Sequence, residues 1–178
     1  MAWIKRAFIT LFTAISLAAC TGIPDDIQPV DNFDVQTYMG KWYEIARLDH
    51  PFERGLSNIS ATYTLQEDGS VEVINKGWNQ EDNEWSEAVG KAKFAGDNDE
   101  GHLKVSFFGP FYSSYIVYFL EPDYSVALVS GYNRDYMWIL SRTPTLTDAQ
   151  LDKYQTIAKK AGFDTSALIY PEQQTQPE

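Results

Sequence analysis

One cysteine and two histidines are all that this 178-residue chain offers for disulfides and soft metal sites. A lone thiol, Cys20, excludes an internal disulfide. His50 and His102 stand far apart, and no His-Glu-x-x-His run is present to hold a catalytic zinc. No Gly-x-Ser-x-Gly elbow is present either, so the usual serine-hydrolase nucleophile is missing. No metal and no cofactor is expected. Cationic side chains are also scarce: 14 Lys+Arg face 25 Asp+Glu, a formal net charge of −11. Such a balance repels nucleic acid, which needs a basic footprint. It repels anionic lipid surfaces too, so membrane attachment through overall charge is not expected. After residue 19 no apolar run approaches the roughly 20 residues of a membrane-spanning helix.

The N-terminus is where apolar residues do cluster. Lys5 and Arg6 precede a mostly apolar stretch over 7–19, which closes as Leu17-Ala18-Ala19-Cys20-Thr21. A basic pair, a short apolar run and small residues make the anatomy of a secretory signal peptide. Leu-Ala-Ala-Cys resembles the bacterial lipobox, in which the cysteine is lipidated and becomes the first residue of the mature chain. Thr21, standing where Asp would retain the protein at the inner membrane, resembles the outer-membrane pattern. The expectation is a signal over 1–19, a lipid on Cys20, and a body facing the periplasm. Loss of Lys5 and Arg6 leaves 12 basic residues against 25 acidic ones, a balance of −13. Residues 20–30, with Gly22, Pro24 and Pro29, read as a flexible tether.

Residues 31–172 read as one domain. A short capped turn over 32–38 ends at Gly40. From 41 onward the pattern has period two, in short β-rich runs separated by turn residues. The expected strands are 41–48, 59–65, 71–78, 85–94, 103–107, 115–121, 125–130 and 136–141. Asp68-Gly69 supplies the positive φ angles of a tight hairpin. Eight consecutive antiparallel strands can close into an up-and-down barrel, which removes exposed edges and can enclose one small ligand. A helix follows. Thr147-Asp148-Ala149-Gln150 fits a capping box, and Leu151, Tyr154, Ile157, Ala158 and Ala161 share a face. Gly162 is its natural stop. The fold class is therefore all-β, an eight-stranded antiparallel barrel with a C-terminal helix on its side. Residues 168–171 suit a short edge strand, and 173–178 read as a disordered tail.

Gly40-Lys41-Trp42 resembles the signature that opens the first strand of lipocalins. Asn133-Arg134-Asp135-Tyr136 resembles the second motif of that family, and Arg142 the third. Asp49-His50-Pro51-Phe52-Glu53-Arg54-Gly55-Leu56 and Phe107-Phe108-Gly109-Pro110-Phe111-Tyr112 are similar to the bacterial outer-membrane branch, kin of apolipoprotein D. The resemblance spans about residues 30 to 172. It implies a non-enzymatic carrier that binds, stores or transports fatty acids or lysophospholipids for envelope maintenance under stress. It also implies a homodimer and no nucleic-acid partner. The alternative is an enzyme on the same scaffold acting on a lipid, and Ser113-Ser114 show no base partner in the sequence.

The signature residues Gly40, Trp42, Asp135, Tyr136 and Arg142 read as structural, with the Arg142 guanidinium laid over the Trp42 indole at the plugged end. If Arg142 points inward, alternation turns Leu140, Trp138 and Tyr136 inward, and Met137 and Ile139 towards the helix. Trp138, Tyr136, Leu140, Tyr112, Phe52 and Leu56 are the expected ligand contacts, the last two from a long first loop. His50 reads as a solvated loop residue. Asp97, Asp99 and Glu100 read as a solvated acidic turn. Asn58-Ile59-Ser60 reads as an ordinary strand edge.

Overall fold

Asp34 opens a single helical turn, α1 (Val35–Tyr38), by accepting the Gln36 amide on its carboxylate at 2.9 Å. The computed structural model describes residues 21–174; Cys20, the signal segment and residues 175–178 lie outside them. Gly40 leaves the turn at φ +95°, a left-handed conformation that costs other residues strain, and leads straight into β1 (Gly40–Arg47). Seven more strands follow: β2 (Leu56–Leu65), β3 (Val71–Asn79), β4 (Glu84–Phe94), β5 (His102–Phe108), β6 (Phe111–Leu120), β7 (Val126–Ser130) and β8 (Met137–Ser141). Each pairs antiparallel with its neighbour, and β8 returns to β1, so the sheet closes as a barrel.

All eight expected strands are present, with ends that differ for local reasons. β2 starts three residues early because a bulge between Ser57 and Ser60, with Asn58 at φ +51°, breaks the alternation there. β6 starts at Phe111, which pairs with Phe108 across the Gly109-Pro110 turn, and β5 carries a bulge between Val105 and Phe108.

The apolar residues form two layers. Inside the lower barrel, Phe33, Tyr38, Trp42, Tyr63, Val71 and Leu103 pack together. Outside, Ile45, Leu128, Met137 and Ile139 meet Tyr154 and Ala158 of helix α2 (Asp148–Lys160). Met137 and Ile139 thus face the helix, as alternation requires. The capping box forms: the Gln150 amide donates to Thr147 Oγ1 at 3.3 Å, and the Thr147 amide donates to Gln150 Oε1 at 3.0 Å. Gly162, at φ +86°, follows the helix.

Residues 22–30 lie on the barrel, unlike the free tether expected from composition, while of the expected tail only residues 173 and 174 are among the described ones. Ile27 is 3% exposed. The Val30 amide donates to the Val117 carbonyl at 2.9 Å, and the Gly101 amide donates back to the Val30 carbonyl. Ser114 donates to the Gly22 carbonyl at 2.8 Å, and Arg134 to that of Asp25. A buried isoleucine and matched backbone groups outweigh the local flexibility that Gly22 and the prolines suggest. At the other end Ile169 and Arg47 exchange backbone bonds. The Gln173 amide donates to the carbonyls of Glu44 and Ile59 at 2.8 and 2.7 Å.

Candidate functional site

The barrel floor is built around Trp42, which is fully buried and donates its Nε1 proton to the Tyr38 carbonyl at 2.9 Å. Arg142 lies with Cζ 3.9 Å from the indole centroid, a close cation–π contact. Its guanidinium also donates to the carbonyls of Lys41, Thr37, Tyr38 and Tyr124 at 2.9 to 3.3 Å. One side chain thereby ties α1, β1 and the turn before β7 into a plug. Above it the hydroxyls of Tyr38 and Tyr63 each meet that of Tyr115, at 2.7 and 2.9 Å. Burial pushes all three phenols above their ordinary range. The apolar void beside them holds only about 10 Å³, so the floor is packed. Leu140, an expected ligand contact, is 5% exposed within this floor.

A charged knot sits higher, where β1 meets β8. In a regular strand Glu44 and Arg47 would face opposite sides of the sheet. Glu44 pairs with Leu140 and Ala46 with Ile139, so β1 carries one extra residue there, and both charges turn inward. Arg47 Nη1 donates to Glu44 Oε1 at 3.0 Å, and each side chain is 3% exposed. The first loop then folds over them. Arg47 Nη2 donates to the Glu53 carbonyl at 3.0 Å, and Arg47 Nε stands 3.7 Å from Glu53 Oε2. His50 Nε2 is 3.0 Å from the same oxygen, too poorly aligned for a hydrogen bond, so both ring nitrogens lack a formed partner. Trp138 Nε1 donates to Glu53 Oε2 at 3.4 Å.

The expectation of a solvated His50 is overturned: it is 3% exposed. Its ring lies 5.2 Å from that of Trp138 and 5.3 Å from that of Phe52. Burial, then repulsion from Glu53, holds the Glu44 carboxyl well above the usual carboxylate range against the pull of Arg47. Burial also raises Glu53, but the close approach and charge of His50, with help from Glu44 and Trp138, outweigh it and the net shift is downward.

The expected contact residues divide accordingly. Trp138 and Tyr136 stack at 6.2 Å beside the knot. Tyr136 is held there by Gly131, where an added Cβ would come within 2.6 Å of the Tyr136 Cβ. Phe52 projects from the loop tip, 70% exposed. Leu56 packs across Gly77, with Cδ1 3.0 Å from where a Cβ would stand. Asp135 accepts from Asn133 at 3.0 Å and shapes the turn before β8.

Tyr112 is elsewhere. The β4–β5 ladder runs only from Lys91–Ser106 to Phe94–Leu103. Beyond it the strands part, and a cleft of about 430 Å³ lies there on the outer wall: its lining includes Glu72, Val89 and Lys91, which alternate with the inward Val71, Val73 and Ala92, together with Ser106, Phe107 and Tyr112. In the closed strand order this lies across the barrel from β8 and β1. Ser86 and Ala88 share the inward face of Val71 and Val73, yet both are exposed, so the interior is open to solvent here. Ser106 Oγ is buried without a partner.

The base partner that the sequence does not reveal for Ser114 is His102, whose Nε2 is 3.3 Å from Ser114 Oγ. Ser114 spends its proton on the Gly22 carbonyl, and Lys104, its neighbour in register, shares the outer face of the sheet. The pair is a clasp on the N-terminal segment, not an activated nucleophile. Asp99 offers its carbonyl to the Phe33 amide at 2.7 Å, so the acidic turn helps close the floor. Among the described residues no three His, Cys, Asp or Glu side chains converge as a metal centre requires.

A closed barrel with a plugged floor, an open upper interior and a flanking helix is the architecture of the ligand-binding lipocalin class. Residues 33–173 match the family described as a lipocalin-like domain. Outer membrane lipoprotein Blc of Vibrio cholerae serotype O1 is 50% identical over 170 residues, covering 95% of this chain and 99% of that protein. Apolipoprotein D of Mus musculus is 32% identical over 156 residues, 83% of this chain and 81% of that one. Insecticyanin from the tobacco hornworm Manduca sexta superposes with a TM-score of 0.69 at 21% identity, covering 86% and 88% of the two chains. The chain belongs to the lipocalin family.

Proposed function

We propose that the protein is a lipid-binding lipocalin held at the outer membrane by a lipid on Cys20, and that its ligand is a single-chain amphiphile. The observation that carries this reading is the buried knot of Glu44, Arg47, His50 and Glu53, set above an apolar and aromatic interior. Buried charges are retained at a cost in stability and need partners. Here Arg47 Nε and both ring nitrogens of His50 are incompletely satisfied, and a ligand headgroup supplies what they lack. Two carboxyl groups with one guanidinium and one imidazole suit a zwitterionic headgroup. A free fatty-acid carboxylate would meet Glu53 as a like charge, so lysophospholipid is favoured over fatty acid. The acyl chain lies in the open interior beside Trp138, towards the inward-facing but exposed Ser86 and Ala88. The similarity to outer membrane lipoprotein Blc supports the location.

The test is titration of the delipidated protein with lysophosphatidylethanolamine and with a fatty acid of equal chain length, followed by tryptophan fluorescence. Saturable binding, tighter for the lysophospholipid and weakened in Trp138→Ala, is the expected result. No saturable change with either lipid would sink the proposal.

A further inference from the structure

The tip of the β5–β6 hairpin rises above its ladders to both neighbouring strands. On one side the ladder to β4 stops at Lys91–Ser106, although β4 itself continues up to Glu84. On the other side the ladder to β7 stops at Ile116–Ser130. Above those pairs the ladder joins β5 only to β6, as far as Phe108–Phe111.

Register fixes which way this tip faces. Leu103 pairs with Tyr115 and Val105 with Ser113, and Leu103, Val105 and Tyr115 belong to the interior cluster. Counting by twos along β6 from Tyr115 brings Phe111 to the same inner face, and Phe108 lies opposite Phe111. Phe107 is already packed: a Cβ added to Gly90 would come within 2.8 Å of its ring. Phe108 and Phe111 are 78% and 62% exposed, although they face inward. Two large apolar side chains left in water on an inner face gain free energy from any apolar cover.

The rest of the interior determines what reaches them. The floor is packed around a void of only about 10 Å³, so no acyl chain descends past its tyrosines. The charged knot and Trp138 lie on β1, β8 and the first loop, across the barrel from β5 in the closed strand order. On β4, beside the tip, the inward Ser86 and Ala88 are exposed and leave the way clear. A ligand whose headgroup meets the knot therefore has one apolar direction open to its chain, across the interior to the hairpin tip.

We propose that Phe108 and Phe111 receive the far end of the acyl chain and make the site selective for long chains. The inference rests on the lipid-binding reading given above. A chain too short to cross the interior leaves both rings in water. Each further methylene that gains apolar cover there raises the affinity about fourfold.

The test titrates the full chain, stripped of bound ligand, with lauroyl and stearoyl lysophosphatidylethanolamine, followed by tryptophan fluorescence. Parent protein is compared with the double variant Phe108→Ser, Phe111→Ser, whose urea transition should be unchanged because both side chains are exposed. The variant should lose about tenfold in affinity for the stearoyl lipid and less than about twofold for the lauroyl lipid. A second measurement places a nitrobenzoxadiazole dye on Phe111→Cys, with intact mass confirming a single dye. A stearoyl lysolipid carrying a doxyl group near its chain end should quench the dye, and one with doxyl near the carbonyl should not. Equal losses at both chain lengths, or quenching indifferent to the doxyl position, overturn the inference. So does a dye that becomes shielded with rising protein concentration in the absence of lipid, because a second copy then covers the tip. If the parent binds neither lysolipid, the lipid-binding reading itself falls and this inference with it; binding of both with no dependence on Phe108 and Phe111 defeats this inference alone.

Discussion

Glu44 and Arg47 are three residues apart on one strand, yet both point into the barrel and meet at 3.0 Å with side chains 3% exposed. Arg47 is the single guanidinium serving two buried carboxyl groups, so its removal should be the costly change. Arg47→Met is expected to destabilise the fold by about 3 kcal/mol, because it removes the guanidinium that bonds Glu44 and the Glu53 carbonyl and leaves those buried groups unpaired. Glu44→Gln should cost less than about 1 kcal/mol, since burial already favours the uncharged carboxyl. Urea denaturation of the two variants checks the ranking. Equal losses would mean that Glu44 is held as a carboxylate.

The two carboxyl groups should also respond to pH in opposite directions. Glu44 is raised above its ordinary 4.5, so its protonated form contributes stability below that value, which is lost as pH rises through the folded-state value. Glu53 is lowered, so its contribution is present above the ordinary value and is lost as pH falls. Between about pH 5 and pH 8, Glu44→Gln should therefore gain on the parent protein as pH rises. Glu53→Gln should show its largest deficit near neutrality and converge with the parent as pH falls through the lowered folded-state value. Urea midpoints across this range are the measurement, and parallel curves would refute the assignment.

Arg142 serves the floor through shape as well as charge. Lysine cannot lie flat on the Trp42 indole while reaching the carbonyls of Lys41, Thr37, Tyr38 and Tyr124. Arg142→Lys is expected to cost roughly 2 kcal/mol despite conserving charge. Thermal unfolding, read with near-ultraviolet circular dichroism for the tryptophan, should show both a lower midpoint and a weaker Trp42 signal.

Gly131 bears on the ligand site without any side chain. A methyl group there would overlap Tyr136, which stacks on Trp138 at 6.2 Å. Gly131→Ala should cost about 1–3 kcal/mol through overpacking and displace that stack. Fluorescence titration should find weaker lipid binding together with an altered Trp138 response. Unchanged binding would show that the Tyr136–Trp138 stack is not part of the site.

Much of the fold was legible because its signals are local. Asp68-Gly69 is a turn wherever it occurs, Thr147 to Gln150 is a capping box, and period two along β8 assigns Met137 and Ile139 to the helix side. The Trp42–Arg142 contact followed from motif resemblance, and the facing of β8 was read from it by alternation. The knot was not legible, because alternation alone sends Glu44 and Arg47 to opposite faces. Only the extra residue on β1, set by pairing with β8, reverses one of them. His50 looked like a loop residue because nothing local says that its loop folds inward onto Arg47. Tyr112 was expected as a ligand contact, and it lines a cleft on the outer wall because it alternates with the inward Ser113 and Tyr115.

The amino-acid order by itself determined the eight strands and the helix with its caps, since each depends on neighbours a few positions away. Tertiary structure alone decided which charges are buried, where the barrel wall opens and where residues 22–30 lie. Those outcomes depend on strand register and on which distant backbone groups find partners, and no local period encodes either.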